Sequence, residues 1–303
     1  MEENIDTHLM NKYRITADIL LIITTILWGT SFIITKTLTQ SIPVFLYLGI
    51  RFFIAIIGFF PCFIRIKKLN KKIVLLGSLT GLIYYLGIFF QTWGIQTSTA
   101  GKTAFITGLS TIIVPFITWI GFKKSLKKRI WMAVMISVTG MAFLLLEGAS
   151  GIIIGDLLVL LCAILYAFFV VLNDKYVRLL DVYLYSIVQL LVICLLSFVS
   201  SFLINETFDL ISIDLSFWLI MIYMGIAVTT LTFLFQNWSQ QHQGPSQTAI
   251  IFTLEPVFAV IFASFILGNE TMTFFGWLGC GLIFIAILIT VLKNNNNKIN
   301  SGS

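Results

Sequence analysis

The sequence predicts an all-α membrane protein of ten transmembrane helices, built as two inverted five-helix repeats with the N- and C-termini cytoplasmic. Three observations predict it. Of 303 residues, 58% are hydrophobic and 11% are charged, and mean hydropathy is +1.01, so lipid must solvate most of the chain. Ten apolar runs each approach the roughly twenty residues that a helix rising about 1.5 Å per residue needs to cross a core of about 30 Å. The first half of the chain also matches the second at fixed offsets.

The runs cover residues 18 to 37, 43 to 64, 73 to 95, 100 to 121, 130 to 147, 156 to 173, 182 to 204, 216 to 239, 246 to 267 and 274 to 292. Backbone groups in lipid must be satisfied within the segment, so such runs are helices, and their short connections make successive ones antiparallel. The first run has no small-residue cleavage site after it and is expected to be retained rather than cleaved as a signal peptide. Residues 1 to 17 read as a cytoplasmic tail, 18 to 147 and 156 to 292 as the two repeats, and the asparagine-rich 293 to 303 as a disordered cytoplasmic tail.

Orientation follows the basic residues. Arg65, Lys67, Lys68, Lys71 and Lys72 fill the second connection, and Lys123, Lys124, Lys127, Lys128 and Arg129 the fourth. Both are therefore expected inside. The alternate connections carry Glu147, Asp156, Glu206, Asp209, Asp214 and Glu270, with Lys36 and Lys102 only at their margins. The net charge of +6 is clustered between apolar runs, which fits a membrane surface and not nucleic acid.

The internal match has a specific form. An offset of 145 lays Gln91-Thr92-Trp93 on Gln236-Asn237-Trp238, Gln96 on Gln241 and Thr103-Ala104 on Thr248-Ala249. An offset of 138 lays Asp18 on Asp156, Ile26-Leu27-Trp28 on Ile164-Leu165-Tyr166 and Arg51 on Gln189, and 146 lays Trp131 on Trp277. Five is odd, so the second copy enters the membrane upside down, and the lysine-rich connection at 65 to 72 corresponds to the acidic one at 204 to 216. Inverted repeats place a ligand near the midplane where the halves meet.

Several of these residues carry a resemblance. Leu27-Trp28-Gly29-Thr30-Ser31-Phe32, the lone Arg51 of the second helix, Thr97-Ser98-Thr99-Ala100-Gly101-Lys102-Thr103-Ala104-Phe105 and Leu254-Glu255-Pro256-Val257 together resemble the drug/metabolite transporter superfamily of EamA type. The likeness spans residues 18 to 292. It implies a ten-helix, exporter-like fold with a central cavity lined chiefly by helices one, three, four, six, eight and nine. Two departures stand out: Tyr166-Ala167 replaces Trp28-Gly29 in the second half, and Leu267-Gly268-Asn269-Glu270 separates the usual adjacent Gly-Glu.

The function expected is secondary active transport of small organic metabolites or drugs, such as an amino acid or amine, by alternating access, with export favoured by the resemblance. An integral-membrane enzyme or a channel is the alternative. The chain has no Walker A motif, only two histidines, His8 and His242, and four cysteines, Cys62, Cys162, Cys194 and Cys280, without metal-ligand spacing. No catalytic residue, cofactor or metal is expected, and the cysteines read as small buried side chains.

A charge inside the bilayer costs about 2.5–3.5 kcal/mol on insertion scales, so the deep ones need a reason. Glu255 is the candidate for an amine or proton and Arg51 for an anionic group or a gate. Trp28, Tyr84, Gln91, Asn173, Thr229 and Gln236 join Glu255 as candidate cavity residues, Tyr84 and Gln91 sharing a helix face as do Thr229 and Gln236. Pro115 and Pro256 are candidate kinks with a coupling or gating role, each removing a backbone hydrogen bond so that the kinked helix can move. The expected partners are a small-molecule substrate and the bilayer of the cell membrane, with protons the candidate coupling ion, a homodimer the candidate assembly, and no nucleic acid.

Overall fold

The computed structural model describes residues 2 to 123, 126 to 146, 153 to 207, 214 to 267 and 274 to 291, and among them every regular element is helical. The expected tail at 293 to 303 and the acidic residues Glu147, Asp209 and Glu270 lie outside the described residues.

Helix α1 (Glu2–Leu38) begins inside the segment read above as a tail. Residues 2 to 28 contain neither glycine nor proline, so nothing stops the helix from running back to the start of the chain. The second apolar run differs from expectation too. Helix α2 (Val44–Gly58) ends well before residue 64, and the chain turns by 74° into a 3-10 helix, Phe60–Lys68. Pro61 opens that turn, and Arg65, Lys67 and Lys68 close it. Cys62, on this segment, is half-buried, whereas the other three cysteines are buried.

Polar side chains start several of the following helices. Asn70 accepts from the Ile73 amide (3.0 Å) before α3 (Lys71–Thr97), and Thr99 from Lys102 (3.1 Å) before α4 (Ala100–Gly108). After α5 (Ser110–Phe122), α6 (Lys128–Leu146) and α7 (Ile154–Val177), Asp181 caps α8 (Val182–Leu203) through Tyr183 and Leu184. Asp214 accepts from Phe217 at the start of α9 (Leu215–Ile222), which widens into a π-helical stretch, Tyr223–Leu231, before α10 (Thr232–His242). Helices α11 (Pro245–Phe252), α12 (Leu254–Leu267) and α13 (Phe274–Val291) complete the chain.

Among the described residues seven helical stretches are long and apolar enough to span a membrane, or eight if the bent pair at 44 to 68 counts as one. Packing follows a reciprocal pattern. Helix α3 lies on α7 and α8, while the π stretch and α10 lie on α1 and α2; α2 pairs with α8, and α6 with α13. Each pairing between the halves thus recurs with the halves exchanged.

The helices at 100 to 122 and 245 to 267 break at Leu109 and Thr253, positions nearly one repeat apart. The breaks do not sit at the prolines as the sequence reading supposes. Pro115 lies inside α5, beyond the break, and Pro256 occupies the first turn of α12, where a missing amide hydrogen costs little. Threonine hydroxyls hold carbonyls at the breaks: Thr111 bonds Gly108 (2.8 Å) and Thr253 bonds Ile250 (2.6 Å). Helix α4 packs on α12 and α5 on α11, so the two breaks cross, with the Pro256 ring against Gly108.

Close crossings depend on glycine. The GxxxG pair Gly77 and Gly81 meets Val188 and the Gln189 backbone of α8. At Gly94 of α3 and Gly155 of α7, a Cβ on either residue would stand 2.5 Å from the other's carbonyl oxygen. Gly94→Val and Gly155→Val are each expected to destabilise the bundle by about 1–3 kcal/mol or more through overpacking. Thermal unfolding in detergent tests this, with Gly281→Ala as control, because nothing lies within 4 Å of the Cβ it adds.

Candidate functional site

A cavity of about 40 Å³ lies between the halves. Its wall combines residues from α1, α2, α3, α4, α5, α7, α10, α11 and α12. Of the residues singled out in the sequence, Trp28, Arg51, Tyr84, Gln91, Gln236 and Glu255 all line it. Trp93 is half-exposed on the far side of α3, as a separation of two residues on a helix requires.

Much of the lining comes in repeat-equivalent pairs. Trp28 faces the same space as Tyr166, and Ser31 the same as Phe169, each pair 138 residues apart. Gln91 pairs with Gln236, Thr107 with Phe252 and Ser110 with Glu255, each 145 residues apart. Ser110 follows the first helix break directly and Glu255 stands two residues after the second, so the crossing of α4–α5 with α11–α12 delivers both to the wall.

The wall is aromatic on one side. Tyr84 stacks on Tyr166 with ring centroids 5.0 Å apart and meets Phe169 and Phe233 edge-on at 5.0 and 4.8 Å, while Trp28 sits 4.9 Å from Phe252. Polar groups interrupt it. Gln91 donates from Nε2 to Thr107 Oγ1 (3.0 Å), and the Gln236 Oε1 is buried without a hydrogen-bond partner.

The two charges stand apart. Arg51, buried, donates from Nε to Thr229 Oγ1 (2.9 Å). Thr229 donates in turn to the Met224 carbonyl five residues back (2.8 Å), a bond only the π-helical winding offers, so the irregular stretch orients the arginine. Thr229 therefore stands behind the wall and not in it. Glu255 is 8% exposed, and no hydrogen bond or ion pair among the described residues reaches its carboxyl.

Asn173 is elsewhere. Its Nδ2 donates to Asn237 Oδ1 and Gln240 Oε1 (both 2.6 Å), and its Oδ1 accepts from Gln189 Nε2 (2.9 Å). Gln189 reaches Thr80 (3.0 Å) and Asn237 reaches Ser186 (2.7 Å), tying α3, α7, α8 and α10 together. Each polar atom of Asn173 is satisfied within this network, which leaves none for a ligand. Pro115 and Pro256 also lie outside the wall. Tyr166, Thr107 and Ser110 are missing from the sequence candidates; the offsets that align Trp28 with Tyr166 and Ser110 with Glu255 point to the first and the last, whereas Thr107 aligns with Phe252, which carried no sequence signal.

The comparisons with known proteins agree with this two-part architecture. The EamA-like transporter family matches twice, over residues 15 to 146 and 153 to 292. An uncharacterized transporter of Archaeoglobus fulgidus is 30% identical over 280 residues, 92% of this chain and 87% of its own. The uncharacterized transporter YetK of Bacillus subtilis is 26% identical, covering 88% of this chain and 83% of its own. One solved crystal structure superposes with a TM-score of 0.73 at 16% identity, over 93% of this chain and 98% of its own, a likeness of fold. The protein is a multi-pass membrane transporter and not an enzyme, and it belongs to the EamA-like transporter family.

Proposed function

We propose that the protein is a secondary active transporter of small organic metabolites or drugs, an exporter that works by alternating access around the central cavity. In this reading ten spans form two inverted five-helix repeats with both termini cytoplasmic, in line with the basic connections at 65 to 72 and 123 to 129. The observation that carries it is the wall itself, assembled from repeat-equivalent pairs where two broken helices cross. Broken helices around a site between inverted repeats are how such carriers expose one site to either face.

The wall also suggests the cargo. Aromatic rings accept an apolar body, the open acceptor of Gln236 and the Glu255 carboxyl suit an amine, and the Arg51 guanidinium suits an anionic group. An amino acid or a related amine meets all three, with protons as the coupling ion through Glu255. A cavity of about 40 Å³ holds little more than water, whereas solute sites run to about 300 Å³ and above, so loading requires the halves to part.

Two experiments test the reading. Reporter fusions are expected to give an inside signal at Lys68 and Lys127 and an outside signal at Asn205; an outside signal at Lys68 reverses the topology. Uptake into proteoliposomes, over a panel of amino acids, amines, monocarboxylates and neutral sugars, is expected to pick out a solute bearing a basic amine. Transport confined to sugars would overturn the assignment of the wall.

A further inference from the structure

The two ends of the bundle carry the same clasp, built with different charge. At one end Lys102 Nζ of α4 lies 2.5 Å from Asp156 Oδ2 of α7, both side chains under a tenth exposed. Asp156 Oδ1 accepts from Ser98 Oγ (2.7 Å), Lys36 Nζ donates to the Ser98 carbonyl, and Gln96 Nε2 donates to the Thr39 carbonyl (2.9 Å).

At the other end most of these groups have repeat equivalents, with Arg178, at the place of Gln40, acting where Lys36 does. Gln247 of α11 stands for Lys102 and Asp18 of α1 for Asp156, and Gln247 Nε2 donates to Asp18 Oδ1 (3.1 Å). Gln241 stands for Gln96 and donates to the Val177 carbonyl (2.6 Å), the equivalent of Thr39. The Gln243 carbonyl, equivalent to that of Ser98, accepts from Arg178 Nη2 (2.5 Å), which also pairs with Asp174 (2.9 Å), the residue at the place of Lys36.

Each clasp ties a broken helix to the long helix of the other half: α4 to α7 at one end, α11 to α1 at the other. These are the contacts that must separate for the cavity to open at that end. We propose that Lys102–Asp156 and Asp18–Gln247 are the two latches of the transport cycle, and that their unequal charge sets which end opens in the unloaded protein. A buried ion pair with a supporting hydroxyl holds more tightly than an amide on a carboxyl, so the Asp18–Gln247 end, cytoplasmic in the topology proposed above, is the one that opens at rest. The latches rest on the alternating-access reading, but they give a test that needs no substrate.

The test is the reactivity of a cavity cysteine, Ser31→Cys, in a full-length protein whose four native cysteines are replaced by alanine. A charged, membrane-impermeant maleimide is applied from either side, in right-side-out and inverted vesicles. Labelling is expected to be faster from the Asp18 side. Lys102→Gln should raise labelling from the Asp156 side and Gln247→Lys should lower it from the Asp18 side, each by about tenfold. The double exchange should reverse the preference, and Lys102→Arg should retain it. Because Lys102→Gln leaves Asp156 without its cation and can impair folding, Gln247→Lys, which adds a cation beside an existing carboxyl, carries the test independently. A side preference that Gln247→Lys leaves unchanged overturns the latches while two-sided labelling keeps alternating access. Labelling from one side alone in every variant overturns both.

Discussion

Glu255→Gln is expected to abolish at least about nine-tenths of transport and to flatten its dependence on pH, with the protein as stable as before or more so. The substitution keeps shape and hydrogen-bonding capacity but cannot titrate or carry charge. Glu255 sits in the first turn of α12, where the helix dipole favours a negative group, yet its carboxyl has neither hydrogen bond nor ion pair among the described residues. A carboxyl that only shaped the kink would use its oxygens there; this one lines the cavity instead. Glu255→Gln replaces a buried carboxyl that makes no hydrogen bond among the described residues with an amide of the same shape, so no bond is lost and stability should not fall. The measurement is uptake against pH at matched expression, together with thermal unfolding in detergent. Unchanged rates and an unchanged pH profile would reduce Glu255 to a structural residue.

Arg51→Met should be the second large loss. Among the described residues the guanidinium makes one hydrogen bond, Nε to Thr229, beside a contact with the Phe52 ring, while the residue also forms part of the cavity wall. A charged hydrogen bond to an anionic solute contributes about 1.5–3 kcal/mol, so affinity should weaken by about ten- to a hundredfold. Arg51→Lys retains the charge but loses the planar fork and the Nε bond that orients it, and should recover only part of the affinity. Thr229→Val, which leaves the arginine charged but unanchored, should raise KM less than Arg51→Met does. Binding of an amine without a carboxylate should be indifferent to all three variants. Equal losses for both solutes would show that Arg51 supports the fold and not the ligand.

Much of this architecture is legible in the sequence because lipid simplifies the code. Apolar length marks the helical stretches, seven or eight of which are long enough to span among the described residues, and the offsets of 138 and 145 relate the two halves. Direction along the chain is harder to read. The bend after Gly58 falls inside a continuous apolar run, and the break at Leu109 has no proline beside it, so neither interrupts the hydropathy that defines a span. The faces are harder still, because lipid-facing and core-facing side chains are both apolar and the helical period fades.

Asn173 shows the consequence. A buried amide on a membrane helix suggests a ligand site when seen alone, but here it is consumed by Gln189, Asn237 and Gln240, partners that only the packing reveals. Thr229 is similar: the π-helical stretch that turns it towards Arg51 has no sequence signature, so its place behind the wall comes from the structure. Tyr166 is the opposite case, available from its alignment with Trp28 without any structure.

Counterflow in proteoliposomes tests the central claim, that one cavity serves the two faces in turn. Vesicles loaded with the unlabelled solute identified by the uptake panel are diluted into labelled solute, and the initial rate of label entry is compared with that of empty vesicles. A carrier returns faster with cargo than without, so internal solute should accelerate entry of the label and drive its transient accumulation. Entry that internal solute leaves unchanged, with no overshoot, is the behaviour of a channel and would contradict the account.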